Sequence, residues 1–277
     1  INSKLLEIHS KKFSEVNLKK FKTFKKKKIR VGFLSADIKQ GHSVTYFLKT
    51  VLKYYDKDKF EIYLFLNNKN EDATTLVFKN IVDETFNIKK LSDLDALNYI
   101  REQNVDIMFD LMGVTSDNRI ELFKNRLSAI QISWLGHLNT TGLDNMDYIL
   151  SDPNLILEDE KKLYSENVIS LPNIWNCHSG VDKKFEKNNL PYDTNNFITF
   201  GSLNNFAKIN EDVLETWAQI LNKIENSCLI LKSSIKRETK FIKKFFEKKG
   251  VLSSLKIYEF INSKEDHLNI YKDIDIC

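Results

Sequence analysis

IRVGFLSADIKQGHSVTYFLKTVL, Ile29 to Leu52, is the stretch that decides the fold. Its first seven residues form a largely apolar run of strand length. Phe47, Leu48, Val51 and Leu52 then recur at helical spacing. Between the two runs lies a polar loop carrying Asp37, Gly41 and His42. A buried strand that feeds an amphipathic helix begins a β–α–β unit, and such units build a parallel sheet covered on both faces.

The alternation continues outward from this stretch. FEIYLFL reads as a strand, DATTLVFKNIV as a helix, and LSDLDALNYIREQN as a helix with Ser92 as its N-cap. VDIMFDL is the next strand, NRIELFKN a short helix and AIQISWLG a strand. The pattern loosens between about residues 150 and 195, where all three prolines fall. It restarts with strand FITFGS, helix NEDVLETWAQILNKI, strand SCLILKS, helix RETKFIKKFFEKKG, strand LKIYEF, helix KEDHLNIYKD and strand IDIC. The class is therefore α/β, with two domains and the second unfinished. No repeat of about 20 to 50 residues is visible.

The 277 residues suit one large or two ordinary domains. With 42% hydrophobic and 29% charged residues the composition is that of a soluble globular protein. No apolar run reaches the ~18 residues of a membrane span. The opening INSKLLEIHSKKF lacks the apolar core of a signal peptide. Cys177, Cys228 and Cys277 are scattered without metal spacing, and reduced thiols in a cytoplasmic protein are the simple reading. Net charge is +4, part of it in KKFKTFKKKKIR, read as a solvated linker and not as a nucleic-acid surface. A start at Ile1 and an end in the apolar run IYKDIDIC lead us to expect further sequence on both sides.

Glycine is scarce, eight in 277 residues against roughly 7% in ordinary proteins. Gly41, Gly113, Gly136, Gly142 and Gly201 all follow strand candidates, at the edge where open α/β sheets bind ligands. Polar residues accompany them. Asp37 and His42 follow the first strand; Thr115, Asn118 and Arg119 follow VDIMFDL; His137, Thr140 and Thr141 follow ISWL. In the second domain Asn205 and Lys208 follow FITF, and Lys264 and His267 follow YEFI. A cleft between two such domains is a natural place for a ligand.

Lys208 is read as opening a helix, and a lysine beside free helix N–H groups suits a phosphate. Lys264 is placed alike, with His267 one turn along. His42 titrates near working pH and has the chemistry of a general base. Neither G-x-x-x-x-G-K-[ST] nor G-x-G-x-x-G occurs, so a P-loop and the usual dinucleotide fingerprint are unsupported. Asp273-Ile274-Asp275 has the form of a metal-binding D-x-D, but it leads into a strand without further ligands, so no metal is assigned.

Five segments, in order, resemble the catalytic region of the protein O-linked N-acetylglucosamine transferases and their SPINDLY-like bacterial relatives. They are RVGFLSADIKQGHSVTYFL, VDIMFDLMGVTSDNRIELF, AIQISWLGHLNTTGLDNMDYILSDP, FGSLNNFAKINEDVLETWAQIL and KEDHLNIYKDIDIC. ILEDEKKLYSENVISLP fits as well, and the resemblance runs from about Lys27 to the last residue. It implies a GT-B architecture, two Rossmann-like domains facing a cleft. On that basis residues 1–26 are a basic helix or linker, 27–180 the N-terminal catalytic lobe, and 181–277 a partial C-terminal nucleotide-binding lobe.

The resemblance also implies function. The expected reaction is inverting transfer of N-acetylglucosamine from UDP-N-acetylglucosamine to serine or threonine of proteins, with no metal and no cofactor. His42 would stand at the reaction centre, as base or as positioner. Lys208 and Asn205 would hold the diphosphate, and Lys264 and His267 the nucleoside. Thr115, Leu135, Gly136 and Thr140 would line the sugar and acceptor pocket. Partners would be the nucleotide sugar, a protein or peptide acceptor, and tetratricopeptide repeats in a longer chain, with no nucleic acid and no membrane span. The family's Gly- and Thr-rich phosphate loop would lie beyond Cys277, so the segment alone is expected to be inactive. Relatives often carry Tyr-Pro-Gly in place of His137-Leu138-Asn139, and bacterial ones histidine in place of Val114. Another donor such as GDP-fucose, another acceptor, or a non-catalytic nucleotide- or partner-binding module therefore remain as alternatives.

Overall fold

The computed structural model describes residues 28–180, 188–233, 235–259, 261 and 263–277, without the side chain of Lys264. The basic run ahead of Lys28 lies outside the described residues. The chain divides between residues 182 and 183 into two compact units. No described helix is long and apolar enough to cross a membrane.

The first unit is a seven-stranded sheet in the order β3-β2-β1-β4-β5-β6-β7, parallel throughout. Its strands are β1 (Ile29–Ser35), β2 (Phe60–Leu66), β3 (Glu84–Asn87), β4 (Ile107–Asp110), β5 (Ile130–Ser133), β6 (Tyr148–Ser151) and β7 (Asn167–Ser170). Its helices are α1 (Ser43–Tyr54), α2 (Ala73–Ile81) and α3 (Asp93–Glu102). Alternate residues of one strand serve opposite faces. Val31 and Phe33 of β1, with Ile62, Leu64 and Leu66 of β2, pack under Val44, Leu48, Leu52 and Phe78 of α1 and α2. Leu34, Tyr63 and Phe65 turn the other way, onto Ala96, Leu97 and Ile100 of α3. Gly32 faces that second side because Met108 and Phe65 fill the space a side chain would need. Each fully buried leucine or phenylalanine contributes about 1.5–3 kcal/mol, so the two-sided apolar strands hold the sheet together.

Helix starts follow the sequence closely. Ser92 caps α3 by accepting the Asp95 N–H at 3.2 Å, as its position foretells. Asp72 and Thr75 form a reciprocal capping box at α2. Three strands escape periodicity. β3, β6 and β7 have four residues each and do not read as strands from the sequence, β6 and β7 lying in or beside the stretch where the sequence pattern loosens. NRIELFKN forms a 3₁₀ turn, Ile120–Asn125, in place of an α-helix.

The second unit repeats the same logic on a smaller scale. Its strands β8 (Thr199–Ser202), β9 (Cys228–Lys232) and β10 (Leu255–Tyr258) pair in parallel in the order β10-β9-β8. Its helices are α4 (Pro191–Asn195), α5 (Glu211–Lys223), α6 (Lys236–Lys248) and α7 (Lys264–Ile270). IDIC contributes a single parallel bridge, Ile276 to Phe200, and not the strand expected of it. That bridge lays Ile276 in parallel beside Phe200 of β8. Asp275 secures it, its carboxylate accepting the N–H groups of Tyr192 and Thr199 at 2.9 and 2.8 Å. Of the D-x-D pattern, Asp275 is thus a backbone clamp, while Asp273 accepts the Tyr258 hydroxyl at 3.1 Å.

Candidate active site

In the first unit the chain order reverses between β1 and β4. Crevices at such switch points, beyond the carboxyl ends of the strands, are where open α/β sheets bind ligands. The loops after β1, β4 and β5 meet there.

The loop after β1 carries Asp37 and His42. Ser35 Oγ accepts the Asp37 N–H at 3.0 Å and turns the chain at the strand end. Asp37 is 7% exposed, and its Oδ1 lies 2.9 Å from Lys39 Nζ and 3.4 Å from His42 Nε2. His42 is the N-cap of α1, its Nδ1 accepting the Val44 N–H at 3.4 Å. A ring nitrogen that accepts carries no proton, so the proton of the neutral ring belongs on Nε2, toward Asp37. The Thr45 hydroxyl, bonded to the His42 carbonyl at 2.6 Å, fixes the backbone beneath the ring.

The loop after β4 is organised by Asp110, which sequence reading passes over. It is fully buried, and its carboxylate accepts the N–H groups of Met112 at 3.1 Å and Gly113 at 2.7 Å. Burial pushes its pKa up to about 6, against the pull of those two donors. The available signal was an acidic residue closing an apolar strand, FD, three positions ahead of Gly113. Thr115 ends the turn, its hydroxyl donating to the Met112 carbonyl at 2.8 Å, which leaves the oxygen lone pairs free to accept. Asn118 bonds back to the Thr115 carbonyl. Arg119 faces away from any ligand role. It pairs with Asp93 at 2.8 Å and donates to the Leu91 carbonyl, clamping the start of α3.

The loop after β5 packs directly on the loop after β4. Leu135 is 8% exposed and has φ of 65°, a left-handed conformation that costs a bulky residue about 1–3 kcal/mol. A side chain at Gly136 would fall on the Leu111 carbonyl, and one at Gly113 on His137. The two glycines therefore permit loop-on-loop contact. Trp134 anchors the entry, its indole N–H donating to the Trp175 carbonyl at 2.8 Å. His178 stacks on Tyr46 with ring centres 5.3 Å apart and accepts the Gly180 N–H at 2.9 Å, a packing role consistent with its plain sequence context.

Thr140, expected in the sugar and acceptor pocket, has another role. It is 8% exposed, and its hydroxyl bonds to Glu166 Oε2 at 2.8 Å and meets Ser165 Oγ at 2.9 Å. Its hydroxyl is spent inside the protein, so Thr140 braces the loop. Of the first unit's expected site residues, His42, Thr115, Leu135 and Gly136 thus stand on the three loops at the switch point, and Thr140 lies behind them.

In the second unit two expectations need correction. Lys208 closes a 3₁₀ turn, Phe206–Lys208, capped by Asn205, whose Oδ1 accepts the Ala207 N–H at 3.1 Å. Phe206 and Ile209 are drawn into the core beside α5, which forces this tight turn before the helix. The helix itself is capped by Asn210 and starts with Glu211 and Asp212. Lys208 is an exposed cation ahead of an acidic helix start, where the Asn210 side chain already takes the Val213 N–H. The same holds for α7, where Ser263 accepts the Asp266 N–H at 3.0 Å and Glu265 and Asp266 fill the first turn. Gly201 lies within β8, and a side chain there would collide with Ile274; it serves packing, not ligand approach.

Lys264 occupies the first position of α7. One turn on, His267 has its Nδ1 buried with no hydrogen-bond partner among the described residues. Burial, and then the charge of Lys232 at the end of β9, hold its pKa below the ordinary histidine value. The imidazole is therefore neutral near pH 7 with an acceptor or donor site unsatisfied.

A family model described as glycosyl transferase family 41 matches residues 3–179 and 183–277. The chain is 31% identical over 256 residues to the rice (Oryza sativa subsp. japonica) protein named probable UDP-N-acetylglucosamine–peptide N-acetylglucosaminyltransferase SPINDLY. That match covers 89% of this chain and 27% of the rice protein. It is 32% identical over 208 residues to the SPINDLY protein of Arabidopsis thaliana, covering 74% of this chain and 23% of that one. Among solved structures, the K341M mutant of Thermobaculum terrenum O-GlcNAc transferase superposes with a TM-score of 0.83 at 25% identity, covering 99% of this chain and 53% of that one. The chain thus spans about a quarter of the length of these curated relatives. A lipopolysaccharide galactosyltransferase, WaaB, shares the fold at a TM-score of 0.53, 11% identity, covering 89% of this chain and 72% of that one.

Proposed function

The chain belongs to glycosyl transferase family 41, and from that membership we propose that its parent protein moves N-acetylglucosamine from UDP-N-acetylglucosamine to serine and threonine hydroxyls of proteins. The fold class, α/β of the GT-B type with Rossmann-like units, suits that chemistry. The observation that carries the reading is the β1/β4 switch point, with His42 and the Gly113 loop at its mouth.

In the proposed reaction the acceptor oxygen attacks the anomeric carbon, the bond to the diphosphate breaks with inversion, and the acceptor proton passes to water. His42 already has Nδ1 engaged with Val44 and Nε2 turned toward Asp37. With Nδ1 already accepting, the ring is poorly placed to take the acceptor proton outright, and we read it as a positioner of the loop after β1. Thr115 offers free lone pairs to a sugar hydroxyl. Charge grows on the departing diphosphate, and fixed donors aimed at it lower the barrier. Lys208 and Asn205 supply that charge and amide in this reading, with no metal required of the chain. The neutral His267 and Lys264 would meet the nucleoside.

Titration of the full-length protein with UDP and with GDP tests the nucleotide. UDP should bind tighter, and Lys208→Ala should weaken it by about ten-fold or more, the worth of one charge-assisted contact. Unchanged UDP binding in that variant would overturn the phosphate assignment, and preference for GDP would overturn the donor. A product assay with UDP-N-acetylglucosamine and a peptide panel separates a transferase from a binding module.

A further inference from the structure

The loop after β5 is held in a conformation it would not adopt alone. Leu135 sits at φ 65°, Gly136 presses on the Leu111 carbonyl, and His137 fills the space above Gly113. Such backbone persists only where its surroundings over-determine it. The entry is tied by the Trp134 N–H to the Asp110 carbonyl at 2.9 Å and by the indole to Trp175. The exit is tied by three consecutive residues just ahead of β7.

Those residues are Tyr164, Ser165 and Glu166. The Tyr164 hydroxyl donates to the Leu138 carbonyl at 3.3 Å, and the Ser165 N–H donates to Thr140 Oγ1 at 3.2 Å. Glu166 Oε2 accepts the Thr140 hydroxyl at 2.8 Å. Its Oε1 accepts the Thr141 N–H at 2.7 Å and also the Thr141 hydroxyl. Glu166 is 4% exposed and, among the described residues, has no ion-pair partner. A buried carboxylate without a cation is costly unless donors converge on it, and here both oxygens are met by donors from one short loop. An apolar residue could pack in its place but could not fix Thr140 and Thr141.

We propose that Glu166 is a positioning residue of the transfer site, latching the loop after β5 so that Leu135, Gly136 and His137 hold their place against the Gly113 loop. This rests on the transferase reading for its catalytic consequence, while the latch itself does not. Glu166→Gln keeps the shape but replaces one acceptor by a donor. Thr141→Val removes a donor, and Thr141→Ser keeps it.

Amide hydrogen exchange on the full-length protein reads the latch. Glu166→Gln and Thr141→Val should each speed exchange across residues 135–143 by about ten-fold or more, with β1 and β2 unchanged and Thr141→Ser at the wild-type rate. Kinetics read the role. Glu166→Gln should lower kcat by about ten-fold or more with KM for the nucleotide sugar held within about two-fold. Unchanged exchange in 135–143, or an equal rise throughout the first unit, would overturn the latch. A loosened loop with undiminished kcat would overturn the positioning role. A wild-type protein that transfers no sugar would instead overturn the proposed function, and the exchange result would still decide the latch.

Discussion

Nε2 of His42 lies 3.4 Å from Oδ1 of Asp37, while Nδ1 of the same ring caps α1 by accepting the Val44 N–H at 3.4 Å. One imidazole therefore does two things: it begins a helix and it presents a ring held by a buried acid. The two can be separated by substitution.

Asparagine is a good N-cap, alanine a poor one. His42→Asn should leave stability within about 0.5 kcal/mol of wild type, whereas His42→Ala should lose about 1 kcal/mol with the cap. Both should cut transfer by about 100-fold or more if the imidazole serves the reaction. Urea unfolding and a peptide transfer assay give the two readings. Full transfer by His42→Asn would leave the residue as a cap and nothing more.

Asp110 predicts a slope in stability with pH. Its folded pKa, about 6, stands above the unfolded value near 3.8. Between these values the folded state holds the proton and the unfolded state has lost it. Stability from this group is present below about pH 4, falls as pH rises, and levels off above about 6, a change of at most about 3 kcal/mol. Asp110→Asn should erase that component and lower stability overall by about 1–3 kcal/mol, because one N–H of Met112 or Gly113 loses its acceptor. The check is the difference between the two proteins in urea midpoint at pH 4.5 and 7. A constant difference would refute it.

His267 should titrate below the ordinary histidine range, followed by its ring proton resonances in NMR. Replacing Lys232 by methionine should raise the value only part of the way, since burial is the larger cause. The folded pKa lies below the unfolded one, so this group lowers stability as pH falls from about 6.5 through the folded value. Titration at or above the ordinary value would show that the ring is not enclosed as described.

Gly201→Ala should destabilise the second unit by about 1–3 kcal/mol, because the new methyl would overlap the side chain of Ile274, itself 8% exposed. Ile274→Ala in the same chain should recover part of that loss, measured as coupling in a double-mutant cycle. Independent, additive effects would show that the contact is not close.

Long periodic segments were legible in advance. β1, β2, α1, α3 and α5 are amphipathic or apolar over at least seven residues, enough for a pattern to declare itself. β3, β6 and β7 take their identity from the neighbours they pair with. Of the site, the loops carrying His42, Thr115, Leu135 and Gly136 could be found from glycines and polar residues after strands. The helix-start reading of Lys208 failed because the helix begins after Asn210, its cap, while Phe206 and Ile209 pack against the core and hold the preceding residues in a tight turn. Glu166 was missed because nothing local marks it: its partners are the hydroxyls and one N–H of a loop some 25 residues away. Asp110 carried only the mark of an acid closing an apolar strand, and its backbone partners are defined only once the turn has formed.

The sequence by itself determined the α/β class and the order of the main elements, which rest on periodicity, and the family, which rests on the resemblance of whole segments to known members. Only the tertiary structure decided which polar residues face a ligand and which brace the protein. Thr140 and Thr141 read like pocket residues until Glu166 is seen to take their hydroxyls. Arg119 reads the same way until Asp93 pairs with it. A side chain's hydrogen-bonding capacity is local, but the partner that consumes it is chosen by the fold.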